Sequence, residues 1–177
     1  MDGASEWLCL GVTMEELRIA AIGDVHGQWE AEDAIALQHL GVDLALFVGD
    51  FGNEAVDVVQ KIAAVPLHKA VILGNHDAWY SASEKGRKRC PYDRSKEDRV
   101  AQQLALLGES HVGFGKLELP GAEVTVVGAR PYSWGGPHWR NAQFYLDRCD
   151  VSGFESSTQR IMTAVEAAEQ DTIIFLG

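Results

Sequence analysis

Three glycine-containing motifs, each directly after a short apolar segment, constrain the fold of this chain most strongly. The motifs are GDVHG at 23–27, GDFGN at 49–53 and GNHD at 74–77. Asp24 and Asp50 lie 26 residues apart, and Asp50 and Asn75 lie 25 apart. Each interval is the length of one strand–loop–helix unit. The spacing therefore predicts parallel strands whose following loops lie side by side at one sheet edge.

The pattern of apolar residues continues this alternation through the chain. Runs typical of strands lie at Arg18–Ile22, Leu44–Val48, Lys69–Leu73, Val124–Gly128 and Thr172–Leu176. Most are continuously apolar, which indicates burial on both faces of a sheet. Helical spacing of apolar residues occurs at Trp29–Leu40, Glu54–Ala64, Ser95–Leu107 and Glu155–Gln170. Ser95 is expected to open the third helix with a Ser-x-x-Asp cap. The alternation predicts an α/β fold with a parallel or mostly parallel sheet.

The charge and the cysteines limit what the chain binds and where it acts. The formal net charge is −11, which argues against a nucleic-acid partner because a polyanion binds a basic face. The three cysteines form no C-x-x-C pair and are expected to be reduced thiols. No apolar run reaches the ~18 residues of a membrane span, and the acidic N-terminus is unlike a secretory signal. We expect a cytoplasmic protein without membrane contact, preceded by a disordered leader at 1–16.

The polar residues of the three motifs have the chemistry of a metal site. Aspartate and asparagine offer hard oxygen ligands, and histidine offers a borderline nitrogen ligand. This mixture suits Mn, Fe, Zn or a similar divalent ion better than Ca or a thiolate-binding metal. A single Gly-Asp after a strand is usually only a turn. Three such motifs in order, evenly spaced at strand ends, indicate a functional site.

The motifs GDVHG, GDFGN and GNHD resemble those of the calcineurin-like metallophosphoesterase family. The resemblance implies an α/β fold, an αββα sandwich formed by residues 17–177, with a two-metal centre at its strand ends. The implied metal ligands are Asp24 and His26 for the first ion, Asp50 bridging both ions, and Asn75 for the second.

The same resemblance implies a catalytic pair in the third motif. His76 would lie over the scissile phosphate as an acid or transition-state stabiliser, and Asp77 would orient it. Two metal ions can hold a bridging hydroxide, neutralise the phosphate charge and clamp the attacking and leaving oxygens. We therefore expect a hydrolase that acts on a small phosphomonoester or phosphodiester with two divalent ions, Mn, Fe or Zn. The alternative is a non-catalytic metal-binding or regulatory module with a degenerate site.

The family pattern is incomplete in this chain. It normally continues with a strand that ends in His and then a Gly-His-x-His, whereas the last predicted strand, DTIIFLG, ends at Gly177. The expectation is an N-terminal part of a longer phosphoesterase, incomplete at its C-terminal end. The less favoured expectation is a short protein whose site is completed by a second copy in a homodimer. Of the other histidines, we expect His39 and His68 at the surface and His111 in a turn. His138 is the candidate for a substitute metal ligand.

Two irregular segments follow strands and supply candidate substrate contacts. The segment 83–99 carries Arg87 and Arg89, which either bind a phosphate beyond the scissile one or belong to a solvated charged loop. The segment 128–150 carries His138, a candidate substrate contact, and large aromatic side chains that either form a wall for the substrate or cover the sheet edge. The second motif lacks the Arg of the GDxxDRG motif of Ser/Thr protein phosphatases, so that class is not favoured.

Overall fold

Three parallel strands form the first sheet and set the positions of the motif loops. The computed structural model describes residues 16–119, 121–133, 141–170 and 172–177. The strands, in hydrogen-bonded order, are β1 (Ile19–Ile22), β2 (Leu44–Phe47) and β3 (His68–Val71). Ile19 pairs with Leu44, and Leu44 pairs with His68. Because all three strands run in the same direction, the loops after them meet at one sheet edge, as the motif spacing predicts.

Helices connect the parallel strands and cover one face of their sheet. The α-helices of the described residues are α1 (Ala31–His39), α2 (Val56–Ala63), α3 (Trp79–Ala82), α4 (Glu84–Arg87), α5 (Arg99–Leu107), α6 (Ala142–Cys149) and α7 (Phe154–Glu166). Val58, Val59 and Ile62 form the buried side of α2, as their helical spacing predicts. A short 3-10 turn at His76–Ala78 precedes α3 and contains part of the third motif.

Local hydrogen bonds explain why α5 begins later than its sequence predicts. Its N-terminal cap is Asp98, whose carboxylate accepts the Ala101 N–H at 3.0 Å. Ser95 instead donates its backbone N–H and its hydroxyl to the Asp93 carboxylate. This side-chain turn satisfies the backbone outside the helix. The predicted cap at Ser95 is therefore wrong, and Asp98 takes that role.

The second sheet is mixed rather than parallel. Its strands, in hydrogen-bonded order, are β4 (Lys116–Glu118), β5 (Val124–Gly128) and β6 (Thr172–Leu176). β4 is antiparallel to β5, and β6 is parallel to it. The apolar pattern misses β4 because only Leu117 of its residues is apolar, while Lys116 and Glu118 form a 2.6 Å ion pair. The prediction of a mostly parallel sheet holds for the first sheet but not for this one.

Opposite faces of β2 divide the interior into two apolar clusters. Ala45 and Phe47 belong to the cluster that packs against α1, α2 and α5. Leu44 and Leu46 belong to a second cluster that includes Val126 of β5. β2 is therefore buried on both faces, as its continuous apolar run predicts. The α/β class is confirmed, whereas the four-layer αββα sandwich and its incompleteness at the C-terminal end stay predictions.

The edge strands depart from the prediction of burial on both faces. β1 and β6 each pair with one neighbour among the described residues. Ile19 of β1 is 42% exposed and Phe175 of β6 is 58% exposed. Continuous apolar character in these strands therefore does not reflect double burial.

Two further predictions concern membrane-spanning helices and the N-terminal leader. Among the described residues, none of the helices has the length and apolar character needed to cross a bilayer. The expected leader at 1–16 lies outside the described residues, apart from Glu16.

His111 directly follows the 3-10 turn at Gly108–Ser110, and its side chain is half-buried beside β3. Its backbone forms an isolated parallel bridge with Val71. Its Nε2 atom is buried and has no hydrogen-bond partner among the described residues. Burial lowers the pKa of His111 to about 4 from its ordinary value of 6.5, because the charged imidazolium loses its hydration there. The folded chain therefore holds this side chain neutral near pH 7.

We expect mild acid to destabilise the fold through His111. As the pH falls from 6.5 towards about 4, the unfolded chain binds a proton that the folded chain does not, so the free energy of unfolding decreases. At about 1.4 kcal/mol per pKa unit, the loss reaches about 3 kcal/mol. Urea unfolding across this pH range should show a smaller loss for His111→Leu than for the wild type. His68→Gln, at an exposed position, is the control, and an unchanged pH dependence in His111→Leu would contradict this account.

Candidate metal centre

Three side chains that could ligate a metal ion meet where β1 and β2 end. Asp24 and His26 lie in the loop after β1, and Asp50 lies in the loop after β2. Their ligand atoms all lie within 4.8 Å of one another. His26 Nε2 is 3.6 Å from Asp24 Oδ1, and Asp50 is half-buried while the other two are exposed. The structure thus brings together three of the four ligands expected from the sequence.

Backbone hydrogen bonds between the first two loops hold this cluster in place. The Asp24 N–H donates to Gly49 O, and the His26 N–H donates to Asp50 O, both at 3.1 Å. Asp24, His26 and Asp50 have positive φ angles of 53°, 44° and 56°. Left-handed backbone in non-glycine residues costs about 1 kcal/mol or more per residue and concentrates at functional sites. The two loops therefore keep a strained conformation that directs all three side chains into one place.

Two glycines allow the second and third loops to approach each other closely. Gly49 has a φ of +83°, and a Cβ there would lie 2.3 Å from Gly74 N. A Cβ on Gly74 would lie 2.3 Å from Asp50 Oδ1. Any side chain at Gly74 would therefore displace the Asp50 carboxylate, which explains why the motifs need glycine here.

Asp77 fixes the backbone of the second and third loops. Its side chain is fully buried. Asp77 Oδ2 accepts the N–H groups of Gly74 and Asp50 at 2.7 and 2.9 Å, and Oδ1 accepts the Phe51 N–H at 2.9 Å. Burial raises the pKa of Asp77 to about 7, against the lowering effect of these donors. The expected role of Asp77 in orienting His76 is not what the structure shows, because its carboxylate binds backbone groups instead.

Asn53 orients the His76 ring. Asn53 Oδ1 lies 2.6 Å from His76 Nδ1, and the His76 backbone N–H donates to Asp50 Oδ1 at 2.8 Å. The His76 ring stacks on Trp79 with centroids 5.1 Å apart and planes at 6°, and it meets the edge of His26 at 4.8 Å. Asn53 has no role among the sequence-based predictions, although its place in GDFGN, three residues after Asp50, is a signal for it.

A cavity of about 300 Å³ opens at the same sheet edge. Asn75, the fourth expected ligand, lines it together with Asp24 and Asp50. Arg130 and Ser133, from the segment after β5, also line it, and neither is among the residues that the sequence predicts for the site. Two carboxylates, an imidazole and an amide oxygen form a donor set that fits a divalent transition metal. The residues present therefore fit the metal centre that the motifs predict.

The structure does not bring the predicted substrate-binding residues of the charged segment, residues 83–99, to this cavity. Arg87 and Arg89 are exposed, and neither is among the residues that line it. Arg87 Nη1 instead donates to the carbonyl oxygens of Ser81 and Ala82 at 3.2 and 3.1 Å. His138 lies outside the described residues, so its predicted roles as a ligand or substrate contact stay predictions.

Glu54 connects the motif loops to the charged segment at 83–99. The sequence predicts it as the start of α2, but it lies before that helix, fully buried and with a φ of 52°. Its carboxylate accepts the Ser81 N–H at 2.6 Å and the Tyr92 hydroxyl. Its backbone N–H donates to His76 O at 3.1 Å. Glu54 thus couples the position of His76 to the segment that follows the third motif.

The family whose sequence model matches this chain is the one that the three motifs resemble. The sequence model of calcineurin-like phosphoesterases matches residues 17–177, which is most of the chain. No curated protein matches the sequence significantly. Members of the matched family generally hydrolyse phosphate esters and typically bind divalent metal ions. The resemblance expected from the three motifs is therefore confirmed.

We expect Gly74→Ala to weaken metal binding, because its Cβ would lie 2.3 Å from Asp50 Oδ1. The loss of affinity for Mn²⁺ should be about 10- to 100-fold, the range seen when the support of a metal ligand is removed. Isothermal titration with Mn²⁺ measures it, and circular dichroism checks the fold. Gly153→Ala is the control, because a Cβ there meets nothing within 4 Å. An unchanged Mn²⁺ affinity in Gly74→Ala would show that Asp50 does not bind the ion.

Proposed function

The chain belongs to the calcineurin-like phosphoesterase family, and we propose that it hydrolyses phosphomonoesters or phosphodiesters with two divalent metal ions. The convergence of Asp24, His26 and Asp50 within 4.8 Å carries this proposal. The His76 ring lies beside this cluster, 4.8 Å from the His26 ring. Phosphate-ester hydrolysis needs positive charge on the phosphate and a proton donor for the leaving oxygen. A metal cluster beside an oriented imidazole supports both requirements.

The proposed ligands divide between two ions of Mn, Fe or Zn. Asp24 and His26 would hold the first ion, Asp50 would bridge to the second, and Asn75 would hold the second. Support for this division is that Asp50 lies in the three-residue cluster and also lines the cavity with Asn75. When bound, the two ions neutralise charge on the phosphate and activate water for attack.

His76 is the proposed proton donor. Asn53 Oδ1 accepts a hydrogen bond from His76 Nδ1 at 2.6 Å, so Nδ1 carries a proton in either charge state of the ring. In the imidazolium form, Nε2 then carries the proton that can pass to the leaving oxygen. The stacked Trp79 ring, at 5.1 Å, restricts rotation of the imidazole. A fixed ring keeps Nε2 directed to one place, which lowers the entropic cost of proton transfer.

The second candidate is a regulatory or binding module that holds metal without turnover. One observation favours it: within the described residues, the His, Asp and Glu cluster contains three members, and both His39 and His68 are exposed. Such a module would bind Mn²⁺ but would not hydrolyse aryl phosphates. The His76–Asn53 contact argues for catalysis, because a metal-binding scaffold does not require an oriented imidazole.

Several properties remain part of this proposal. The substrate would be a small phosphorylated molecule rather than a nucleic acid, in keeping with the net charge of −11. A cytoplasmic location fits the free thiols of Cys90 and Cys149. Completion of the site by a second copy, in a homodimer, is the less favoured proposal for the ligands that the motifs do not supply.

Substitutions at Asp50 and His76 should separate metal binding from catalysis. Asp50→Asn removes ligand charge, so both bound Mn²⁺ and hydrolysis of an aryl phosphate should be lost. His76→Ala should retain Mn²⁺ but lose about 100- to 10,000-fold in kcat, the range for a general acid. Elemental analysis and a steady-state assay measure the two properties. Full activity in Asp50→Asn would contradict the assigned ligands, and absence of turnover in the metal-loaded wild type would favour the regulatory module.

Variants at Asn53 should change the pH profile rather than the metal content. Asn53→Ala releases His76 Nδ1, so kcat should fall about 10-fold, less than the 100- to 10,000-fold loss expected when the general acid itself is removed. Asn53→Asp places a negative charge beside the ring and favours the imidazolium. Because the proton donor must be charged, the alkaline limb of the kcat profile should then move to higher pH. Gln38→Ala, which removes an exposed amide from α1, is the control. Unchanged profiles in both Asn53 variants would show that Asn53 does not position His76.

A further inference from the structure

Arg130 reaches the site from the second sheet on a firmly anchored segment. The segment follows β5 directly. The Ala129 N–H donates to Leu176 O at 2.8 Å, and the Tyr132 N–H donates to Leu73 O at 2.7 Å. Leu73 immediately precedes the third motif. The backbone on both sides of Arg130 is therefore tied to strand ends, one of which carries the loop of Asn75 and His76.

The Arg130 side chain is held by an aromatic ring. Its guanidinium carbon lies 4.8 Å from the centroid of Phe154, the first residue of α7. A cation over a ring face is attracted by the ring quadrupole. This contact and the half-buried position of Arg130 restrict the long side chain. A restricted arginine loses less entropy on binding an anion.

The charges around the cavity are divided between its walls. Asp24, Asp50 and Asn75 line it from the first sheet, and Arg130 and Ser133 line it from the second. Among the described residues that line it, Arg130 is the one lysine or arginine. The cation thus shares the cavity with the proposed metal ligands, whereas the other charged side chains there are acidic.

We infer that Arg130, with Ser133 beside it, binds a non-bridging phosphoryl oxygen and selects dianionic phosphomonoesters over diesters. This inference rests on the proposed function. A planar guanidinium with forked donors matches the oxygens of phosphate. A positive charge in addition to the metal ions favours the dianion of a monoester more than the monoanion of a diester. The cavity volume of about 300 Å³ lies at the small end for ligand sites, which suits a compact monoester.

The test uses Arg130→Gln and Arg130→Lys in the full chain loaded with Mn²⁺. Titration calorimetry with inorganic phosphate should show about 10- to 100-fold weaker binding in Arg130→Gln, as expected on loss of a charge-assisted hydrogen bond. Arg130→Lys should recover part of it, because it keeps the charge but not the fork. The kcat/KM for an aryl phosphate should fall by a similar factor, and that for the bis-aryl ester by less than about 3-fold. The Mn²⁺ content should not change.

Arg160→Gln is the matched control. Arg160 also lies over an aromatic ring, 5.4 Å from the centroid of Phe114, but it does not line the cavity. The phosphate affinity and ester preference of the Arg160→Gln variant should equal those of the wild type. If Arg130→Gln does not fold, Phe154→Leu provides a second route, because it removes the ring beneath the guanidinium and should weaken phosphate binding by a smaller factor.

The outcomes distinguish this inference from the proposed function. If the wild type hydrolyses both esters and Arg130→Gln leaves phosphate affinity and ester preference unchanged, the inference fails and the function stands. If the wild type hydrolyses neither ester but binds phosphate in an Arg130-dependent manner, the phosphate subsite stands and the function fails. If Arg87→Gln or Arg89→Gln weakens phosphate binding while Arg130→Gln does not, the subsite lies in the charged segment and the inference is wrong.

Discussion

The buried Asp77 carboxylate joins the two loops on which the candidate site depends. It accepts three backbone N–H groups, from Asp50, Phe51 and Gly74, and so fixes the second and third loops relative to each other. Burial raises the pKa of this carboxyl to about 7 although those donors lower it, because the buried charge loses its hydration. The Gln103 side chain adds a 2.7 Å bond to Asp77 O. The site geometry therefore depends on a buried polar network behind it.

The parts of the fold that could be predicted are those that local sequence determines. β5 and β6 have the bounds that their apolar runs predict, and β1–β3 differ from prediction only at their ends. β4 was missed because a three-residue strand with one apolar side chain is specified by pairing with β5. α6 was missed because its segment is rich in glycine and proline, and Asn141 and Asp150 bound it in the left-handed conformation. Such elements depend on tertiary contacts that a sequence window does not contain.

The candidate site likewise contains residues that the local sequence identifies and residues that only the fold shows. Asp24, His26 and Asp50 follow apolar strands at regular spacing, so the sequence brought them together correctly. Glu54 resembles a surface residue at a helix start, and only the fold shows its carboxylate buried against Ser81 and Tyr92. Asn53 contacts the His76 ring, which lies 23 residues away in the sequence. Arg130 lines the cavity from the second sheet, opposite the motif residues of the first sheet. Spacing along the chain identifies ligands from neighbouring strands, but it does not identify the residues that orient them.

The anchoring of Arg130 also bears on how an acidic chain would favour the anionic substrate that we propose. The net charge of −11 repels phosphate at long range, so attraction must arise locally, where a buried field is least screened. Bound metal ions would supply one local source of positive charge, held by the proposed ligands in the loops that follow the strands of the first sheet. Arg130 supplies another from the second sheet, tied to the first by the bond from Tyr132 to Leu73. Because the two sources lie on different sheets, evolution or mutagenesis can change substrate preference through Arg130 without altering the metal ligands.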